Sequence, residues 1–149
     1  MPLLSRDLIG TWELVSREDH TAGGERRIEP SLGSDPIAIL MYDSSGHFSA
    51  QFMKRNRNRS EPESQGAAGP NNSRAVGGYD AYFGTYTVDD AQGTVTQCLV
   101  GALSPENVGQ VLTRAMIVVR NELTIHVHTA SATGEPVTRI LRWRRVGAS

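Results

Sequence analysis

The chain has 149 residues and a formal net charge of −1, with 38% hydrophobic and 21% charged residues. This length fits one domain spanning residues 1–149, which can bury a core without a metal or disulfide staple. The balanced charge argues against a nucleic-acid binder, which needs a basic excess. No apolar run approaches the roughly 20 residues that span a bilayer, so we expect no membrane association.

The cysteine content and the first residues bear on the compartment. Cys98 is the single cysteine, so no intramolecular disulfide can form. Met1 to Asp7 lack the basic region and apolar run of a signal peptide. We therefore expect a cytoplasmic protein.

The first third of the chain has the pattern of strands. Gly10–Glu18 mixes β-formers with charges, and Glu25–Pro30 is a candidate short strand. The apolar run Ile37–Tyr42 is followed by the turn residues Asp43–Gly46 and the alternating segment His47–Met53. These last three segments predict a hairpin.

Arg55 to Gly78 interrupts this rhythm. The segment is rich in Asn, Arg, Ser, Gly and Pro and has almost no large apolar side chain. Such long stretches in a compact domain are typical of lids, binding loops or disorder. We predict a lid that governs access to a cavity, with a weakly signalled helix near Asn72–Val76.

Strands resume after this loop and continue to the end of the chain. The predicted strands are Asp80–Val88, Thr94–Val100, Val111–Val119, Leu123–His128 and Val137–Arg144. Consecutive hairpins without βαβ spacing favour an all-β fold, a single up-and-down antiparallel barrel of about 8–10 strands. Closure removes the exposed edges that such a meander otherwise leaves.

Motifs at the two ends of the chain select among all-β folds. Gly10-Thr11-Trp12 opens the first strand and Arg142-Trp143-Arg144-Arg145 closes the last. This resembles the calycin arrangement, in which an arginine of the final strand covers a tryptophan at the barrel floor. A guanidinium stacked on an indole explains the pairing physically.

Segments in the middle of the chain extend the resemblance. Leu40-Met41-Tyr42, Gly46–Gln51, Tyr82–Tyr86 and Gly93–Thr96 occur in the order typical of the lipocalin-like domain family. The resemblance implies a small calycin barrel, with some members associated with secondary metabolism. Where that family tends to have a histidine, this chain has Gln97, so no imidazole acts at that position.

Arg114 is the strongest candidate for a ligand contact. It lies in Val111–Val119, a strand that is apolar on both faces, where an uncompensated buried charge costs several kcal/mol. One interpretation is that it projects into the cavity and binds a carboxylate, enolate or carbonyl oxygen. The alternatives are an internal salt bridge and the stacking role on Trp12.

Three tyrosines and two glutamines complete the candidate ligand-binding set. Tyr42, Tyr82 and Tyr86 each combine an apolar ring with a hydroxyl, as small-molecule pockets require. Tyr82 and Tyr86 share one strand face. Gln51 and Gln97 are amides within apolar strands, suited to orienting a ligand. Ordinary barrel packing is the alternative for the tyrosines, and an outward solvated position is the alternative for the glutamines.

Other reactive residues carry weaker signals. His126 and His128 share a strand face but oppose the apolar residues, so we expect them to face solvent and predict no metal. No sequence motif places a general base beside Cys98, so we do not expect it to act as a nucleophile. The sequence also lacks phosphate-binding, dinucleotide-binding and nucleophile motifs. We predict no cofactor. The basic run Lys54–Arg59 lacks the interleaved aromatics of a nucleic-acid site, so no nucleic-acid partner is expected.

Three hypotheses of function follow from the sequence. The first is a binding protein for a small hydrophobic or anionic organic metabolite. The second is a cyclase or isomerase of secondary metabolism in the same cavity, since such catalysis needs shape and electrostatics but no nucleophile. The third is an interaction module. A homodimer is also left open.

Overall fold

The computed structural model describes residues 3–57, 77–131 and 133–147. A short helix, α1, spans Leu4–Asp7, and a 3-10 helix spans Pro105–Asn107. The strands are β1 (Gly10–Thr21), β2 (Arg26–Arg27), β3 (Ile37–Tyr42), β4 (His47–Met53), β5 (Tyr79–Asp89), β6 (Thr94–Ala102), β7 (Val111–Val119), β8 (Glu122–Ala130) and β9 (Pro136–Arg145).

The strands close into an antiparallel barrel. Each neighbouring pair from β3 to β9 is joined in chain order, β1 pairs with β3, and β9 returns to β1 over registers from Trp12–Arg145 to Thr21–Val137. The barrel thus has eight strands in the described part of the chain, and the two-residue β2 adds to the edge of β1. The predicted all-β barrel is confirmed.

The hairpin of β3 and β4 forms as predicted. Its register pairs run from Ile37–Met53 to Tyr42–Phe48. Asp43 organises the turn, because its carboxylate accepts hydrogen bonds from the backbone of Ser45 and His47 at 2.9 and 2.8 Å. These bonds lower the pKa of Asp43, the bond from His47 most strongly.

A β-bulge in β1 reverses which side chains face inward. The pairing of β1 with β9 shifts between Leu14 and Ser16. Trp12 is buried before the bulge, and Arg17 and Asp19 are buried after it, so the inward set changes from even to odd positions. One extra residue moves all later side chains to the other face.

Trp12 and Arg145 close one end of the barrel, which we call the floor. The Arg145 guanidinium carbon lies 4.3 Å from the centre of the fully buried Trp12 ring. Arg145 also donates to the carbonyls of Ile9 at 2.7 Å and Asp7 at 2.6 Å. The expected arginine cover on Trp12 is confirmed, and it comes from Arg145 rather than Arg114.

At the opposite end, which we call the mouth, residues 28–36 connect β2 to β3. We call this segment the mouth strap. β1 pairs with β3 only from Gly10 to Glu13, and near the mouth β2 pairs with Asp19 and His20. Glu29 and Leu32 of the strap are buried. Most of the predicted 55–78 lid, including the proposed helix at Asn72–Val76, lies outside the described residues, so its gating role stays a prediction.

Candidate functional site

A cavity of about 60 Å³ lies inside the barrel. A single water needs roughly 10–15 Å³, so the space exceeds that of one solvent molecule. Apolar side chains form much of its wall, together with several polar and charged residues. The lining residues are Arg17, Leu32, Leu40, Tyr42, Phe52, Asp80, Tyr82, Gln97, Arg114, Met116, Ile125, Val127, Arg139, Leu141 and Trp143.

Arg114 lines the cavity beside two tyrosines. It is half-buried between the inward-facing Leu112 and Met116 of β7. Burial lowers its pKa, and Arg139 adds to this, whereas Tyr82 and Tyr42 oppose it. Arg114, Tyr42 and Tyr82 line the same cavity, and the two phenols affect the pKa of the guanidinium.

Burial keeps the two phenols protonated. It raises the pKa of Tyr82 to about 12, with Asp80 adding to the rise and Arg114 opposing it. Burial also raises the pKa of Tyr42, with a further contribution from Tyr82. At neutral pH, both hydroxyls therefore remain neutral and able to donate hydrogen bonds.

Gln97 orients the Tyr42 hydroxyl. The Gln97 Nε2 donates to the Tyr42 oxygen at 2.6 Å, and both side chains are buried. The Tyr42 hydroxyl in turn lies 3.9 Å from the Met116 sulfur. Thioether sulfur is a weak acceptor. The Tyr42 hydroxyl can therefore exchange its bond to Met116 for a bond to a stronger acceptor in the cavity at little cost.

Two buried ion pairs adjoin the cavity. Arg139 binds both carboxylate oxygens of Asp19 at 2.7 and 3.0 Å. Arg17 reaches Glu29 of the mouth strap at 3.3 Å. Burial lowers the pKa of Arg17 to about 10, and the positive charge of Arg139 contributes, with Glu29 and Asp19 opposing the shift.

Sequence reasoning missed these charged residues. Arg139 alternates with the buried Val137 and Leu141 on β9, so the period-two pattern already marked it as inward-facing. Asp80 shares a face with Tyr82 in the same way. No sequence signal marked Arg17 and Asp19, because the bulge that turns them inward was not predicted.

The indole N–H of Trp143 is a further buried hydrogen-bond donor beside the cavity. The side chain is 1% exposed and lines the cavity. Its indole Nε1–H has no hydrogen-bond acceptor within the described ranges. A buried donor left in this way costs about 1–3 kcal/mol, which an acceptor atom in the cavity would recover.

Two of the proposed ligand contacts do not line the cavity. Gln51 lies on the outer face of β4 and accepts a hydrogen bond from Tyr79, which is the outward position that was the alternative to a ligand contact. Phe48 and Phe52 take the inward face of that strand, which leaves Gln51 outside. Tyr86 shares the Tyr82 face, yet its hydroxyl donates to the Asp43 carbonyl at 2.6 Å near the floor.

The histidines and the cysteine lie away from the cavity. His126 is half-buried and His128 is exposed on β8, while Leu123, Ile125 and Val127 face the core, as expected. Cys98 is exposed. Within the described residues, no three His, Cys, Asp or Glu side chains come together as metal ligands, and no helix there is long and apolar enough to cross a bilayer.

The sequence profile of the lipocalin-like domain matches residues 9–146. The chain belongs to the lipocalin-like domain family. The match includes the floor tryptophan, the arginine that covers it and all strands of the barrel. The suspected membership is therefore confirmed, and a lipocalin-like barrel is in general a fold that holds small ligands.

Comparisons with individual proteins add the following. No curated protein matches the chain. Among solved structures, a selenomethionine derivative of a biogenic amine-binding protein is similar at a TM-score of 0.44 and 11% identity. The alignment covers 94% of this chain and 64% of that chain.

Proposed function

We propose that this lipocalin-like domain binds a small organic molecule that has an apolar body and an oxygen acceptor at one end. The observation that carries the proposal is the concentration of donors on one cavity. Arg114, Tyr82 and Trp143, each of which carries a hydrogen-bond donor, all line it. A carboxylate, enolate or carbonyl oxygen is the complementary group.

The remaining wall suits an apolar body. The wall includes four buried apolar side chains, those of Leu40, Phe52, Ile125 and Leu141. Most ligand pockets combine such a wall with a few convergent polar groups. At about 60 Å³, the space fits a ligand far smaller than the drug-sized molecules held by cavities of roughly 300–1,000 Å³.

Arg114→Met tests the polar end. Methionine retains much of the stem and deletes the charge. Affinity for 4-methylpentanoate, an isobutyl chain with one carboxylate, falls at least tenfold, or about 1.4 kcal/mol. The free energy of unfolding changes by less than about 1 kcal/mol, because a half-buried stem keeps its packing.

The matched control is Arg142→Met, which changes an exposed arginine on the outer face of β9. It leaves the affinity unchanged. NMR titration measures both affinities, and urea denaturation measures both stabilities. An Arg114→Met protein that loses roughly 3–5 kcal/mol of stability would identify a structural ion-pair partner instead, and Arg114 would leave the site.

An isomerase or cyclase is the second candidate, supported by Asp80. This buried residue lines the cavity, as does Tyr82 two residues further along β5, and its charge raises the pKa of Tyr82. Proton abstraction beside a carbonyl needs a carboxylate base and hydrogen-bond donors in one cavity, and this cavity has both kinds of residue. The test is deuterium uptake by 4-methyl-2-pentanone in D₂O, followed by NMR. Uptake that is lost in Asp80→Asn supports catalysis, and equal uptake in both proteins excludes it for this ketone.

A further inference from the structure

The mouth strap places a carboxylate and an apolar side chain inside the barrel. Glu29 is 8% exposed and Leu32 is 3% exposed, although neither belongs to a strand. Glu29 contacts the cavity-lining Arg17, and Leu32 itself lines the cavity. The strap therefore supplies a branched hydrocarbon to the cavity wall and an anionic partner to one of the cavity-lining arginines.

The strap holds these groups through a compact turn. Glu29 receives a backbone hydrogen bond from Ser31 at 2.8 Å, and the Ser31 hydroxyl also contacts its carboxylate. The Gly33 N–H bonds to the Glu29 carbonyl at 3.0 Å, with φ of +79° at Gly33, a region that favours glycine. The turn thus presents Glu29 and Leu32 as one unit.

The anchors of this unit differ in burial. On the inner side, the Arg17 and Glu29 side chains are only 4% and 5% exposed. On the outer side, Asp35 pairs with Arg55 at 2.9 Å, and these side chains are 70% and 52% exposed. Exposed pairs contribute little, about 0–1 kcal/mol, so the inner contact is the stronger hold on the strap.

We propose that the mouth strap is an autoinhibitory contact, and that the natural ligand is a small branched or aromatic monocarboxylate that displaces it. The ligand carboxylate replaces Glu29 at Arg17 and also comes within reach of Arg114, which lines the same cavity. The ligand hydrocarbon takes the volume of Leu32. This inference rests on the proposed function and names its ligand class. It also accounts for the small cavity, since Leu32 fills the space that a ligand would use.

Loosening the strap then strengthens binding. Glu29→Gln keeps the shape of the side chain and removes the charge that competes for Arg17. Because the apparent affinity is proportional to the fraction of molecules in which the strap is open, 4-methylpentanoate binds at least about fivefold more tightly to this variant. The neutral 4-methylpentanamide gains less, since it has no charge to place at Arg17. Leu32→Ala, which frees volume, strengthens the binding of both compounds.

The matched control is Glu13→Gln, which removes a carboxylate paired with Arg144 on the outer face. Its affinity for both compounds equals that of the wild type. NMR titrations of all four proteins measure the effect, and should Glu29→Gln fail to fold, Leu32→Ala decides alone.

Weaker or unchanged binding of 4-methylpentanoate in the strap variants overturns the autoinhibitory contact. If Arg114→Met still weakens wild-type binding in that case, the proposed function stands without it. Absence of binding to the wild type and to both strap variants overturns the proposed function and this inference together.

Discussion

Arg139→Met tests whether the buried charges beside the cavity hold the barrel together. Arg139 joins β9 to β1 through two hydrogen bonds to Asp19, and both side chains are only 4% exposed. The substitution retains most of the packing and leaves the Asp19 carboxylate without this partner. Removing one member of such a pair costs roughly 3–5 kcal/mol. We expect about 3 kcal/mol, because Arg17 also interacts with Asp19.

Urea denaturation followed by tryptophan fluorescence measures this loss. With a slope of roughly 1–3 kcal/mol per molar urea, a loss of about 3 kcal/mol lowers the midpoint by about 1–3 M. The matched control is Arg144→Met on the same strand. Arg144 also donates two hydrogen bonds to one carboxylate, that of Glu13, but the two side chains are 64% and 50% exposed. That pair contributes about 0–1 kcal/mol.

A second variant separates desolvation from attraction. Asp19→Leu combined with Arg139→Met leaves neither charge in the interior and regains a large part of the stability lost in the single variant. If Arg139→Met costs no more than Arg144→Met, the interior ion pair does not stabilise the barrel and the reasoning is wrong.

Two further predictions concern the floor and the phenols. Arg145→Lys loses the forked guanidinium that reaches two carbonyls and stacks on Trp12, so it destabilises the fold by about 1–3 kcal/mol. The control Arg142→Lys changes an exposed arginine and is neutral. Thermal melts that show equal effects of the two substitutions contradict the floor assignment. Tyr82 has a pKa raised from 10 to about 12, so its contribution is present below pH 10 and is lost as the pH rises toward 12. Tyr82→Phe should therefore flatten the decline of stability above pH 10 and remove a tyrosinate absorbance step near pH 12.

The barrel was predictable because its signals are local. Alternation within β4 and turn residues such as Asp43 and Gly46 define hairpins, and a chain of hairpins has few ways to bury its apolar faces. Trp12 could be placed at the floor, beneath an arginine of the last strand, because the motifs at the two ends of the chain resemble the calycin arrangement. The resemblance did not indicate which arginine.

The site was less predictable because it depends on register. Arg17 and Asp19 turn inward only through the bulge between Leu14 and Ser16, which no turn residue signals. Strand periodicity could have corrected Gln51 and found Arg139, since each alternates with clear core residues. The Arg17–Glu29 contact joins a strand to the strap, and nothing in sequence spacing indicates that the strap enters the barrel.

Occupancy of the cavity by a small acceptor-bearing molecule is tested most directly at the methionine methyl groups. The chain has four methionines, of which Met116 lines the cavity and Met41 is 45% exposed on the outer face of β3. With ¹³C-methyl-labelled methionine, titration with 4-methylpentanoate should move the Met116 signal along a saturable curve and leave the Met41 signal in place. A Met116 signal that stays fixed throughout the titration, or that moves only together with Met41, would contradict binding inside the barrel.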